Sequence, residues 1–210
     1  MNKEKIKQLI VEHKERFLNT TGLINCDNQK YIRHLLHQKE IIVISGVRRA
    51  GKSSLLKLIG DDIRISEQVQ ENNILYLNFD DERFIEFSHQ DFEMLLETFI
   101  EMFQPQGRKY FFLDEIQNIQ GWERWVNRIY EFEDVKIFVT GSNASLLSSE
   151  ITSALTGRNW QISNFPFSFS EFLRFNQVEF QPADFYLREK KVQIKTCLKS
   201  MSIQADFRKY

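Results

Sequence analysis

The 210-residue chain contains only two cysteines, Cys26 and Cys197. Two thiols this far apart, in a sequence with no sign of secretion, exclude a disulfide-stapled scaffold and are expected to stay reduced in the cytoplasm. No apolar run approaches the roughly 20 residues that a membrane-spanning helix needs. Residues 1–8 are charged and polar with no apolar stretch behind them, so no secretory leader and no membrane partner are expected. Zinc-ligand clusters, a winged-helix signature and a basic recognition helix are all missing, so nothing in the residues themselves supports nucleic-acid binding. The guanine-reading tetrad Asn-Lys-x-Asp is missing too, which ranks GTP low as a ligand. Neither charge sign dominates: the net charge is −1. Lys and Arg gather in 1–57 and 181–210, while Asp and Glu gather in 61–101. With no long basic run, this unevenness reads as a solvated surface.

Phenylalanine, by contrast, is abundant at 19 copies, so an aromatic-rich core is expected. Residues Ile6, Leu9, Ile10, His13 and Phe17 recur at helical spacing. A short second helix presents Tyr31, Ile32, Leu35 and Leu36. Then Ile41, Ile42, Val43 and Ile44 form a continuous, mostly β-branched apolar run, the mark of a strand buried on both faces. From there the pattern alternates. Strands are expected over 41–44, 74–79, 110–113, 135–140 and 159–165. Helices are expected over 52–59, 90–103, 121–132 and 145–155. Capping boxes are expected at Ser88/Asp91 and Ser168/Glu171, the second opening a short helix through Phe175. Alternating strands and helices predict an α/β fold with a parallel sheet covered on both faces, whose ligands bind at the carboxyl ends of the strands.

The chemistry-bearing motifs fall at those ends. Gly46-Val47-Arg48-Arg49-Ala50-Gly51-Lys52-Ser53 fits the P-loop pattern G-x-x-x-x-G-K-[ST], between a buried strand and a helix, with Ser54 next in line. Successive backbone N–H groups must curl around phosphate oxygens, and a helix N-terminus favours negative charge. Lys52 is expected on the β- and γ-phosphates of ATP and Ser53 on Mg2+. Next, Tyr110-Phe111-Phe112-Leu113 ends in Asp114 and Glu115. Asp114 is placed to hold the magnesium shell and Glu115 to act as general base on water. The strand through Val139 and Thr140 ends in Gly141-Ser142-Asn143. There Asn143 either holds the lytic water or caps a helix, a role open to Ser142 as well. Finally, Arg158 follows Thr156-Gly157. Spacing alone does not decide between an arginine offered to a neighbouring subunit and a surface charge after a glycine stop. Asp80 and Asp81 also follow a strand.

These pieces resemble the AAA+ superfamily, and within it the archaeal-type ATPases that also occur widely in bacteria. The resemblance runs over about residues 28–175. It is carried by GVRRAGKSSLL at 46–56, YLNFDDERF at 76–84, FFLDEIQNIQGWERWVNRIYE at 111–131, VTGSNASLLSSEITSALTGR at 139–158 and NFPFSFSEFL at 164–173. It implies a P-loop NTPase three-layer sandwich with a five-stranded sheet in the order 5-1-4-3-2. It further implies that Lys52 and Ser53 belong to Walker A, Asp114 and Glu115 to Walker B, and Asn143 to sensor 1. Arg158 matches the arginine finger, whose action across subunits implies a homo-oligomer. DNA handling enters only by analogy with such relatives. The expected organisation is an N-terminal helical extension over 1–27, the nucleotide-binding domain over 28–176, and a partial or divergent lid or C-terminal segment over 177–210, where the lid motif Gly-Gly-Phe-Pro does not occur. The expected function is Mg-dependent ATP hydrolysis coupled to a mechanical or switching task. The alternative is a nucleotide-dependent switch with negligible turnover.

Overall fold

Strand β1 (Ile41–Ser45) is buried at every position. That is why its sequence shows no alternation: a central parallel strand is covered by helices on both faces. Strands β2 (Ile74–Asn78), β3 (Lys109–Asp114) and β4 (Val135–Gly141) are buried almost throughout as well, whereas β5 (Asn159–Ser163), at the sheet edge, is mostly exposed. All five run parallel in the order β2-β3-β4-β1-β5, the expected 5-1-4-3-2 order counted from the other edge. The structure, a computed structural model, describes residues 1–142, 146, 155–178, 192, 194 and 196. The chain divides into two compact units, Met1–Phe165 and Pro166–Tyr210. The sheet belongs to the first. The second contains α6 (Phe169–Phe175), opened by the expected capping box of Ser168 and Glu171.

Successive side chains of a strand point to opposite faces, and the core sorts accordingly. Ile41, Val43, Leu75, Leu77, Phe111, Leu113, Ile137 and Val139 face one layer, made of α1 (Lys3–Leu18), α4 (Phe92–Phe103) and α5 (Trp122–Phe132). Ile42, Ile44, Ile74, Tyr76, Phe112 and Phe138 face the other, made of α2 (Asp27–Arg33) and α3 (Lys52–Ser66). The aromatic content is spent here. Phe92 stacks on Trp125 at 4.4 Å between centroids, and Phe112 stacks on Phe138 at 4.6 Å. Helix α1 lies on β2 and α4 with Ile6, Leu9 and Ile10 buried, so residues set apart in the sequence as an extension pack into this core.

Several local expectations shift. Helix α3 runs on to Ser66 because Ile63 continues its buried stripe beyond Ile59. The capping box at Ser88 and Asp91 is present, but it opens a 3-10 turn, and α4 starts only at Phe92. Helix α4 does end at Phe103 as expected, and its cap Gln104 takes a left-handed φ of 44°. A residue before proline is disfavoured in the helical region, so Pro105 acts one position early. Tyr31 is half exposed, off the apolar face assigned to it. Of the helix expected over 145–155, only Leu146 and Leu155 lie within the described residues, both buried. Lys136, inside β4, is fully buried. Its Nζ donates to the carbonyls of Leu35 (2.9 Å), Gln38 (2.9 Å) and Glu40 (2.6 Å), tying the turn before β1 to the sheet.

His13 pins α1 to the end of β2. Its Nδ1 accepts from the Asn78 N–H at 3.1 Å, so Nε2 carries the proton and donates to Asp81 at 3.0 Å. Arg83 holds the same Asp81 and also reaches Glu12. Burial outweighs Asp81 and lowers the His13 pKa. A lowered histidine pKa means that the unfolded chain binds the proton more readily, so stability is lost as pH falls below the ordinary histidine value of about 6.5. We expect urea unfolding to show lower stability at pH 5.5 than at 7.5, and His13→Asn, which keeps an acceptor near the Nδ1 position, to narrow that gap. An unchanged gap in the variant would remove His13 from this role.

Candidate functional site: a phosphate-binding loop with paired carboxylates

Every strand of the sheet delivers its carboxyl end to one edge, and β1 passes there directly into residues 46–53. Gly46 is buried, Val47, Arg48 and Arg49 are exposed, and Ala50 is buried again. The loop turns through left-handed backbone at Arg49 (φ 65°) and Gly51 (φ 86°). Gly51 is the N-cap of α3, and its carbonyl accepts from the Leu55 N–H at 2.9 Å. The N-terminal N–H groups of a 15-residue helix therefore face the loop, and their dipoles favour an anion. Lys52 is 5% exposed, and its Nζ bends back over the loop to the carbonyls of Gly46 (3.3 Å) and Val47 (3.4 Å). Ser53 and Ser54 follow in the first turn, both half-buried.

Asp114, at the end of β3, has no exposed surface. The Tyr76 hydroxyl donates to its Oδ2 at 3.0 Å, the Thr140 hydroxyl donates to its Oδ1, and the Ser53 hydroxyl also bonds to it. Burial nevertheless raises the Asp114 pKa, and it raises that of Tyr76 too, with Asp114 adding to the second shift. Glu115 sits one residue on, in left-handed backbone at φ 52°. A non-glycine residue there carries strain of the kind that gathers at functional sites. The Glu115 N–H donates to Thr140 Oγ1 at 3.0 Å. Its carboxylate is held from two sides, by Lys52 Nζ at 3.1 Å and by Gln117 Nε2 at 2.7 Å.

The structure thus brings Lys52, Ser53, Asp114 and Glu115 together. Asn143 lies outside the described residues; its neighbour Ser142 offers its carbonyl to the Leu146 N–H at 3.0 Å, as an N-cap residue does. Arg158 stands at the opposite end of the sheet, just before β5, where its carbonyl accepts from the Ile41 N–H. Five strand residues at about 3.3 Å each separate it from the P-loop edge. Its guanidinium pairs with Glu131 at 2.6 Å and donates to Asn127 at 3.2 Å, both on α5. Asp81 is committed to His13 and Arg83 rather than to the loop.

Sequence reasoning missed Tyr76, Thr140, Gln117 and Asn164. Asn164, just past β5, holds the P-loop at both ends. Its N–H donates to the Ser45 carbonyl at 2.7 Å, and its side-chain amide donates to the Ala50 carbonyl at 2.7 Å. Asn28 in turn donates to Asn164 Oδ1 at 3.0 Å, and Cys26 Sγ lies 4.0 Å from the same oxygen. A polar residue after the apolar run of Ile137, Phe138 and Val139, as Thr140 is, was the one signal available.

A parallel sheet of this order, with a P-loop leaving the interior strand β1, defines the P-loop NTPase fold. The model of a family described as "AAA domain" matches residues 38–173, well over half of the chain, and the chain belongs to that family, an AAA+ P-loop ATPase-type domain. An uncharacterized protein of Haemophilus influenzae is 40% identical over 157 residues, which are 73% of this chain and 38% of that protein. One from Methanocaldococcus jannaschii is 36% identical over 136 residues, 65% of this chain and 29% of that protein. The chain therefore spans well under half the length of these relatives. The structure of AMPPCP-bound DnaA from Aquifex aeolicus is similar at 18% identity and a TM-score of 0.47, covering 81% of this chain and 58% of that one. Among the described residues, no helix is long and apolar enough to cross a membrane.

Proposed function

We propose that this domain binds ATP with magnesium through residues 46–54 and hydrolyses it, driving a mechanical or switching task in an oligomer. The observation that carries the reading is the meeting of Lys52 and Glu115 at 3.1 Å beside buried Asp114. A lysine for the terminal phosphates and a carboxylate for water stand within one phosphate's width. Among the described residues no group of three or more His, Cys, Asp or Glu gathers as a metal cage. What is present, the Ser53 hydroxyl and the Asp114 carboxylate, suits Mg2+, which takes few protein oxygens and completes its shell with phosphate oxygens and water. Bound there, the ion would neutralise charge on the phosphates.

The chain's own residues do the rest. Backbone N–H groups of the P-loop and the N-terminus of α3 hold phosphate oxygens. Lys52 leaves Glu115 for the β- and γ-phosphates. Glu115, released from that ion pair, accepts a proton from the attacking water. Arg158, far from its own P-loop, acts on a neighbouring subunit's nucleotide, and Asn143 positions the lytic water. Work on DNA remains an analogy with other AAA+ proteins.

The test is phosphate release from ATP across a range of protein concentration, with magnesium and with EDTA. We expect turnover that needs magnesium and rises more than linearly with concentration. An inactive Arg158→Ala mixed with an inactive Lys52→Ala should regain activity, because one supplies the intact loop and the other the intact arginine. No recovery would remove the trans role of Arg158. ATP binding without turnover would leave a nucleotide-dependent switch.

A further inference from the structure

We propose that Gln117 is the positioning residue for Glu115 in hydrolysis, an inference that rests on the ATPase reading above. Three observations carry it. First, Gln117 Nε2 donates to Glu115 Oε2 at 2.7 Å while Lys52 takes Oε1. Once Lys52 turns to phosphate, Gln117 is the group among those bonded to this carboxylate that stays behind. Second, the amide's orientation is fixed. Its other end, Oε1, is buried, makes no hydrogen bond among the described residues, and lies where a Cβ on Gly141 would come within 2.2 Å. A flipped amide would set oxygen against a carboxylate oxygen, so the donor must face Glu115. Third, the backbone is arranged for the contact. The left-handed φ of 52° at Glu115 leads into the 3-10 turn Ile116–Asn118, which returns Gln117 toward the carboxylate two residues earlier.

A carboxylate on a rotatable side chain, held at one oxygen, keeps its free oxygen in one direction. That free oxygen is the one that must meet the water. The step itself is unchanged: water's oxygen bonds to the γ-phosphorus, the bond to the bridging oxygen breaks, and the water proton goes to Glu115.

The experiment measures kcat, KM and ATP affinity for wild type, Gln117→Met, Gln117→Glu, Glu115→Gln and the double variant Gln117→Met/Glu115→Gln. Methionine keeps the length of the side chain and loses the donor, while glutamate keeps the shape and sets a second carboxyl against that of Glu115. Both single Gln117 variants should lose about 10- to 100-fold in kcat, the cost of a slightly misplaced catalytic group. In Gln117→Met, KM, ATP affinity and melting temperature should stay near wild type. In the Glu115→Gln background, Gln117→Met should cost nothing further, because two residues that act as a unit are not additive. Full kcat in Gln117→Met and Gln117→Glu, or a loss that recurs undiminished without Glu115, would overturn the proposal alone. Wild-type turnover that is absent would overturn the ATPase reading and this proposal with it, whereas turnover that survives in Glu115→Gln would remove Glu115 as the base and overturn this proposal while leaving ATP hydrolysis standing.

Discussion

Glu115→Gln should bind ATP more tightly than wild type and hydrolyse it at least 100-fold more slowly. The two halves have different causes. Turnover falls because the amide cannot take the water proton, and losing a general base costs roughly 10²- to 10⁴-fold. Affinity rises because Glu115 and the phosphates compete for one ammonium. Lys52 Nζ lies 3.1 Å from Glu115, and the ion pair must break before the lysine can meet an anion. Lys52 is nearly buried and the Glu115 side chain is 24% exposed, so the pair is partly screened. An exposed or partly exposed pair is worth about 0.2–1 kcal/mol. Releasing that amount corresponds to roughly a 1.5- to 5-fold gain in affinity. Titration calorimetry on both proteins, beside single-turnover phosphate release, separates the halves. Unchanged turnover would remove Glu115 as the base. A weaker affinity would mean that the carboxylate contributes to nucleotide binding instead of competing with it.

How far the sequence reaches follows from which contacts are local. The P-loop is legible because its parts are contiguous: strand, glycines, lysine and helix lie within a dozen residues. Asp114 and Glu115 are legible for the same reason, as carboxylates closing a buried strand. What the sequence hides is set by partners far along the chain. Tyr76 reaches Asp114 only because β2 pairs with β3 in a register that sets Asn78 opposite Asp114. Thr140 reaches Asp114 and the Glu115 N–H because β4 lies on the other side of β3. No pattern within one strand encodes either pairing. Gln117 is close in sequence to Glu115, yet its role depends on the left-handed turn between them and on a glycine in β4. The end of α4 at Phe103 falls where the sequence reading placed it, because that stop is local: Gln104, the residue before Pro105, takes left-handed backbone. Arg158 is visible as a residue. The structure adds that it sits at the far end of the sheet from its own P-loop, pinned by Glu131, and this restricts any catalytic role to another subunit's site.

Gly46→Ala should damage the loop in a way that its other glycine does not share. A Cβ on Gly46 would lie 2.3 Å from the backbone oxygen of Asn164 and 3.3 Å from its carbonyl carbon. That oxygen belongs to the main chain, so no rotamer change relieves the clash. Its own residue is anchored by the bond from the Asn164 N–H to Ser45 and by the side-chain bond to Ala50. Moving the Asn164 backbone therefore loosens both ends of the P-loop at once. Overpacking of this kind costs about 1–3 kcal/mol. At roughly 2–4 °C per kcal/mol for a chain of this size, melting should fall by several degrees. Nucleotide affinity should fall by about 10- to 100-fold, as one or two hydrogen bonds to charged phosphate oxygens, each worth about 1.5–3 kcal/mol, are lost. Gly51→Ala meets only the Asn164 side-chain nitrogen at 3.9 Å, an ordinary contact, but must hold a φ of 86°. Its cost is the left-handed backbone alone, about 1–2 kcal/mol. Gly51→Ala should thus lower the melting temperature while leaving Asn164 and the start of the loop in place, and should bind ATP better than Gly46→Ala. Differential scanning fluorimetry with and without Mg-ATP reads both quantities, since a bound ligand stabilises the folded chain by an amount that grows with the logarithm of its concentration over Kd. Equal ligand-induced shifts in the two variants would show that the close approach of Asn164 to Gly46 is not what shapes the phosphate cradle.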